Sequence, residues 1–274
     1  MKKLVIILGL VSLFLAGCNS LKVKDINNQP LSGVKFSTDT KYDSRKENEN
    51  NPYNLVVKQK DDSHFEAISN DLGEIDLQGY SFKEGKLSKD NYLSLYNIKE
   101  NGEYTLYKVD DYFTDDFLIK DEYKELKNKI GKFIVNIEAT AYYYNAIIDL
   151  KRIDLFTFKN NNYISIYFNS INVYNNLKVD KYQVGKNLYA ELVVKILDYL
   201  ILIEDDKING VNININGYSK NFLDEHGHPT PIRFSFIINK DTIKKFKDKD
   251  ITSQKLLDES VILMDNERIE LKLQ

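Results

Sequence analysis

Alternation at period two runs through the first hundred residues of the chain. Leu21 and Val23 alternate with Lys22 and Lys24, Val34 and Phe36 flank Lys35, and Ile75 and Leu77 flank Asp76, so each run presents one apolar face. Asn27-Asn28, Pro30 and Gly33 punctuate the first two runs, which predicts a strand, a turn and a second strand. The polar stretch Ser69-Asn70-Asp71-Leu72-Gly73 predicts a turn leading into a strand over Glu74 to Leu77. Further on, Tyr92 to Tyr96 and Tyr104 to Tyr107 flank Glu100-Asn101-Gly102-Glu103. Asn-Gly between aromatic, alternating runs predicts a β-hairpin.

The pattern changes after Val109. Asp110 to Asp116 is acidic and aperiodic, and Asp121 to Ile130 reads as a short helix with Tyr123, Leu126 and Ile130 on one side. Phe133 to Ala139, Ala146 to Phe158 and Tyr163 to Tyr174 are rich in β-branched and aromatic residues and are predicted as strands, with a turn at Asn160-Asn161-Asn162. From Asn187 to Ile201 the apolar positions Leu188, Leu192, Ile196, Tyr199 and Leu200 fall at helical spacing. Strands follow at Val211 to Ile215 and Ile232 to Ile238. Two short helices are expected with Asp241 and Thr252 as N-caps, and a last hairpin turns through Asp265-Asn266.

Pro30-Leu31-Ser32-Gly33-Val34 and the Ser69 to Gly73 turn, following a strand in that order, resemble the carboxypeptidase regulatory-like domain, a transthyretin-like β-sandwich. The resemblance spans about Val23 to Leu77. It implies a structural or interaction module with no catalytic residues, although the polar insert that includes Lys41 to Asn51 departs from a compact member of that family. The fold expected is therefore two domains, an all-β sandwich over 21–115 followed by an α+β domain over 120–274. The second half carries no resemblance.

Ahead of these elements, Met1-Lys2-Lys3 is followed by an apolar run from Leu4 to Phe14 and by Leu15-Ala16-Gly17-Cys18. The run is shorter than the ~20 residues a membrane-spanning helix needs, so 1–17 reads as a signal peptide. Leu15-Ala16-Gly17-Cys18 resembles the lipobox of bacterial lipoproteins. That resemblance implies cleavage before Cys18, a diacylglyceryl group on its sulfur, and residues 18–20 as a short lipidated tether to the envelope membrane. Asn19 does not supply the Asp that commonly retains such proteins at the inner membrane, so the outer membrane is the expected address where a cell has both. Cys18 is the single cysteine, which excludes an intrachain disulfide and, once acylated, thiol catalysis.

A formal net charge of −3 carries no electrostatic footprint for nucleic acid, which excludes that partner. Asn, Lys, Ile and Tyr all have A/T-rich codons, so their abundance, including the 19 tyrosines, is not by itself a binding signature. The chain has no Gly-rich phosphate loop, no His-Glu-x-x-His and no Gly-x-Ser-x-Gly. Asp224-Glu225-His226-Gly227-His228-Pro229 is the most distinctive polar cluster: Asp224, His226 and His228 have the chemistry of metal ligands, but a solvated loop before Pro229 and Pro231 is the favoured reading and no metal or other cofactor is expected. His64 reads as a surface residue. Tyr142-Tyr143-Tyr144 reads first as strand packing and second as a platform for stacking sugars. Lys240 to Lys249, five lysines with aspartates interleaved, reads as a solvated helical face.

These features point to a non-catalytic envelope lipoprotein, held to the membrane by lipid on Cys18 and binding a protein or glycan partner. The alternative is a surface hydrolase that attacks envelope glycan through two carboxylates 5 to 10 Å apart. A metal or solute carrier ranks third.

Overall fold

Where the chain's backbone amides find their partners decides the architecture. The computed structural model describes residues 20–39, 41–43, 59–61, 64–77, 80–82, 84–99 and 102–273. The expected signal peptide, Cys18 and most of the polar insert lie outside the described residues. The fold is α+β, and the chain divides into two compact units, 1–108 and 109–274.

The first unit is built from short strands: β1 (Ser20–Lys24), β2 (Lys35–Thr38), β3 (Lys41–Asp43), β4 (Gln59–Asp61), β5 (Phe65–Ile68), β6 (Glu74–Asp76), β7 (Tyr80–Phe82), β8 (Gly85–Ser88), β9 (Leu95–Ile98) and β10 (Glu103–Thr105). They form three sheets, ordered β10-β1-β6, β5-β2-β8-β9 and β4-β3-β7. The alternating residues read from the sequence are its core: Leu21, Val34, Phe36, Ile75 and Leu77 are fully buried and Val23 nearly so. The two motif pieces at Pro30 to Val34 and Ser69 to Gly73 are locked together. Buried Ser69 Oγ accepts from Val34 N–H at 2.8 Å and donates to Leu31 O at 2.6 Å. Gly73 sits at φ +71°, and a Cβ there would collide with Val23 O.

Glu100 and Asn101 of the expected hairpin lie outside the described residues, and among the described residues its two strands do not pair with each other. β9 pairs antiparallel with β8, whereas β10 runs parallel to β1, with Val23 opposite Tyr104. The Tyr104 hydroxyl accepts from Lys99 N–H and donates to Lys99 O, both at 2.8 Å, and so occupies backbone groups that a hairpin ladder would have used. β1 and β2 likewise stand in different sheets, joined across their turn by a single bridge from Lys24 to Pro30.

In the second unit, β11 (Ala146–Ile148), β12 (Asp154–Phe158), β13 (Asn161–Asn175), β14 (Gly210–Lys220), β15 (Thr230–Asn239), β16 (Val261–Met264) and β17 (Glu267–Ile269) make one seven-stranded mixed sheet. β13 and β14 are parallel and every other pairing is antiparallel. Lys159-Asn160 and Asp265-Asn266 all have positive φ, the geometry of a tight two-residue hairpin turn. Helices α1 (Asp115–Ile119), α2 (Lys124–Tyr143), α3 (Lys181–Leu188), α4 (Val194–Leu200), α5 (Lys240–Lys247) and α6 (Ser253–Asp258) complete it, with a π-helical turn, Tyr189–Val193, joining α3 to α4.

Two expectations fail here for identifiable reasons. The strand expected at Phe133 to Ala139 is the middle of α2: Leu126, Ile130, Ile134, Ile137 and Ala141 are buried at three- and four-residue spacing, and that stripe outweighs the local β-branched composition. Asp241 is not an N-cap. Asn239 holds that position, and its side chain accepts from the Tyr163 hydroxyl at 2.7 Å instead of capping the helix, which leaves Asp241 in the first turn where the helix dipole favours it. Thr252 does cap α6, accepting from Lys255 N–H at 3.2 Å. Among the described residues no helix is long and apolar enough to cross a membrane.

The acidic stretch after Val109 is structured despite its lack of periodicity. Tyr112, Phe113 and Phe117 are all but fully buried, and Ile153 N–H donates to Tyr112 O at 2.8 Å. A fragment of residues 109–274 is therefore expected to stay folded by circular dichroism. One starting at 121 loses three buried aromatic rings, each a loss of about 3 to 5 kcal/mol in a core, and is expected to unfold. Equal stability of the two fragments would contradict this packing.

Candidate functional site

The C-terminal end of α2 carries an aromatic surface. The helix buries one stripe, so positions 136, 139, 140 and 143, spaced by three and four residues, fall on another face and turn away from the core. The helix stops at Asn145, whose φ of +57° lets its N–H donate to Tyr142 O at 3.0 Å. Tyr142 and Tyr143 are 73% and 77% exposed, so the strand-packing reading of the tyrosine run is overturned for these two rings. Tyr143 and Tyr144 meet edge to face, with centroids 4.9 Å apart at 81°. With Asn136, Ala139, Thr140 and Tyr199 of α4 they line a shallow recess of about 230 Å³, and Thr140 Oγ1 lies 3.4 Å from the Tyr199 hydroxyl.

A larger cleft of about 630 Å³ is lined by Glu204, Asp205, Asp206 and Asp241 together with Lys129, Lys240 and Lys244. Burial alone would raise the Asp205 pKa, but hydrogen bonds from Lys129 Nζ and from Lys207 N–H, both 3.0 Å, outweigh it and hold the carboxyl below its ordinary range. A carboxylate so held is a poor proton donor. Burial pushes Glu138 of α2 above the usual carboxylate range, against a lowering hydrogen bond from Tyr112, but Glu138 is not among the residues lining this cleft.

The seven-stranded sheet also bears a polar network. Ser165 Oγ accepts from Asn212 Nδ2 at 3.1 Å and from Asn214 Nδ2 at 3.0 Å, and Ser235 Oγ donates to Asn214 Oδ1 at 2.6 Å. Buried Asn212 Oδ1 has no partner among the described residues. Beside this network Arg152 lies over the Tyr167 ring at 5.4 Å, and both line a recess of about 270 Å³ with Asp154 and Phe156.

The sites singled out from the sequence do not converge. Asp224 Oδ1 accepts from the backbone N–H of His226 and Gly227 at 3.1 and 3.0 Å, so its carboxylate organises its own turn, and both imidazoles are exposed. Among the described residues no group of three or more His, Cys, Asp or Glu side chains is placed to hold a metal ion. His64 is exposed between Glu66 at 2.8 Å and Asp39 at 2.9 Å. Lys244 and Lys245 face solvent, while Lys247 pairs with Asp198. Sequence reasoning missed Asn136, Thr140 and Tyr199, which join the tyrosine run at the aromatic recess. The three- and four-residue spacing of Asn136, Thr140 and Tyr143 was the available signal, hidden by the expectation of a strand.

Two predictions follow from these geometries. The hydrogen bonds to Glu66 and Asp39 raise the His64 pKa above 6.5, so their stabilisation is complete below that value and is lost as pH rises through the higher folded pKa. In an NMR titration Glu66→Gln should lower the His64 midpoint; an unchanged midpoint would rule out the pairing. The double change His226→Ala with His228→Ala should shift stability by no more than ~0.5 kcal/mol, equally with and without chelator. Calorimetric zinc binding that disappears in the double variant would promote this loop to a metal site.

No protein-family model, no curated protein and no solved structure matches this chain.

Proposed function

We propose that this chain is an envelope lipoprotein, anchored through lipid on Cys18, whose N-terminal unit is a transthyretin-like β-sandwich module and whose second unit binds a glycan or protein partner without catalysing a reaction. The observation that carries the binding reading is the aromatic surface at the end of α2, where two tyrosines are about three-quarters exposed and a third closes a recess. Adjacent exposed aromatic rings form an apolar patch with polar tips, and such amphipathic rings recur at recognition surfaces.

The anchor follows from Leu15-Ala16-Gly17-Cys18. With Ser20 already in β1, the tether between lipid and fold is two residues long at most and reaches roughly 7 Å, which keeps the N-terminal unit against the headgroups. The outer membrane is the favoured address, and nucleic acid is not a partner.

The hydrolase alternative would take its proton donor from Glu138, whose carboxyl burial raises above the ordinary range. It is less favoured because the acid-lined cleft is elsewhere and Asp205 within it is ion-paired.

The anchor is tested in cells grown with radiolabelled palmitate. The chain should take up label and sediment with membranes, and Cys18→Ala should leave an unlabelled, uncleaved precursor. Label retained by the variant would refute acylation at this sulfur.

A further inference from the structure

We infer that the recess formed by Asn136, Thr140, Tyr143, Tyr144 and Tyr199 is a subsite for one ring of a neutral saccharide. The inference rests on the glycan-binding reading above and assigns it a place and a ligand chemistry. Three observations converge on it.

The first is geometric. Tyr143 and Tyr144 stand at 81° to one another, making a corner in which one ring can lie under a pyranose while the other closes its edge. At about 230 Å³ the recess is smaller than the roughly 300 to 1,000 Å³ typical of sites that enclose drug-sized ligands, which suits a single sugar ring held at an open surface.

The second is chemical. Among the described residues the side-chain polar groups lining the recess are all neutral: the amide of Asn136, which both donates and accepts, and the hydroxyls of Thr140, Tyr143, Tyr144 and Tyr199. Among the described residues no lysine, arginine, aspartate or glutamate lines it, unlike the mixed-charge cleft beside Asp205. An anionic or cationic ligand would meet no counter-charge here, whereas a neutral sugar presents apolar C–H faces to the rings and hydroxyls to the amide.

The third is preorganisation. Asn136, Thr140 and Tyr143 are held by successive turns of a 20-residue helix, and the left-handed Asn145 pins the end that carries the two rings. Each tyrosine has only two side-chain torsions to freeze, so the entropy lost on binding is small.

The test is calorimetric titration of the purified full chain with chitohexaose, cellohexaose and maltohexaose. At least one of these should bind. Tyr143→Ala, at a position 77% exposed and so without consequence for folding, should weaken that binding about tenfold, and Tyr143→Phe, which keeps the stacking ring, should stay within about fivefold of the parent. Two results overturn the inference: none of the three sugars binds, or one binds with the same affinity to Tyr143→Ala. The same holds if a protein partner contacts the recess in place of a sugar. Each of these leaves the anchored-binding reading standing so long as the chain is palmitoylated and membrane-bound; loss of labelling and sedimentation would overturn that reading independently of the titration.

Discussion

The second unit depends on how closely its helices approach its sheet, and glycine sets that approach. A Cβ at Gly185 would lie 2.7 Å from the Phe234 ring, and one at Gly217 would lie 3.1 Å from Leu188. With hydrogen at both positions, α3 settles onto β14 and β15, and the π-helical turn carries the chain on into α4. The same seating buries Tyr189, whose hydroxyl bonds to Ser253 and whose pKa burial raises to about 12. Interiors packed at this density leave little freedom for the next layer. α2 lies against α4 and β11, its rotation is set by the stripe from Leu126 to Ala141, and that rotation puts half-buried Thr140 beside α4 and leaves Asn136 and Tyr143 exposed next to it.

The aromatic surface is thus a consequence of core packing. Its rings are exposed because the positions that precede them on the helix are committed to the interior. The charged cleft is assembled differently, from the loop after α4, the start of α5 and Lys129 of α2. There Lys129 spends its ammonium on Asp205 at 3.0 Å.

The polar ladder of Ser165, Asn212, Asn214 and Ser235 gives the sheet a second kind of specificity. Asn-rich composition reads as a codon effect in one dimension, yet these side chains are arranged as a hydrogen-bonded network across three strands. Burying such groups is tolerable only in register, so a one-residue slip of β14 against β13 would break the network and move Ile213 and Ile215 together onto its face.

The sequence by itself determined what depends on near neighbours. Period-two alternation placed Leu21, Val23, Val34, Phe36, Ile75 and Leu77 in the core, and paired residues tolerant of positive φ located the turn at Asp265-Asn266. Thr252, a residue type suited to capping, located the start of α6, where its side chain accepts from Lys255 N–H. Tertiary structure decided what depends on distant partners. Asn101-Gly102 had the residues of a hairpin, but β10 pairs with β1 and the Tyr104 hydroxyl binds Lys99. Phe133 to Ala139 had the composition of a strand, but a stripe of five buried residues extending beyond that window made it helix. Asn136, Thr140 and the tyrosines became neighbours of Tyr199 only when α2 met α4, because a contact between residues nearly 60 positions apart has no trace in local pattern.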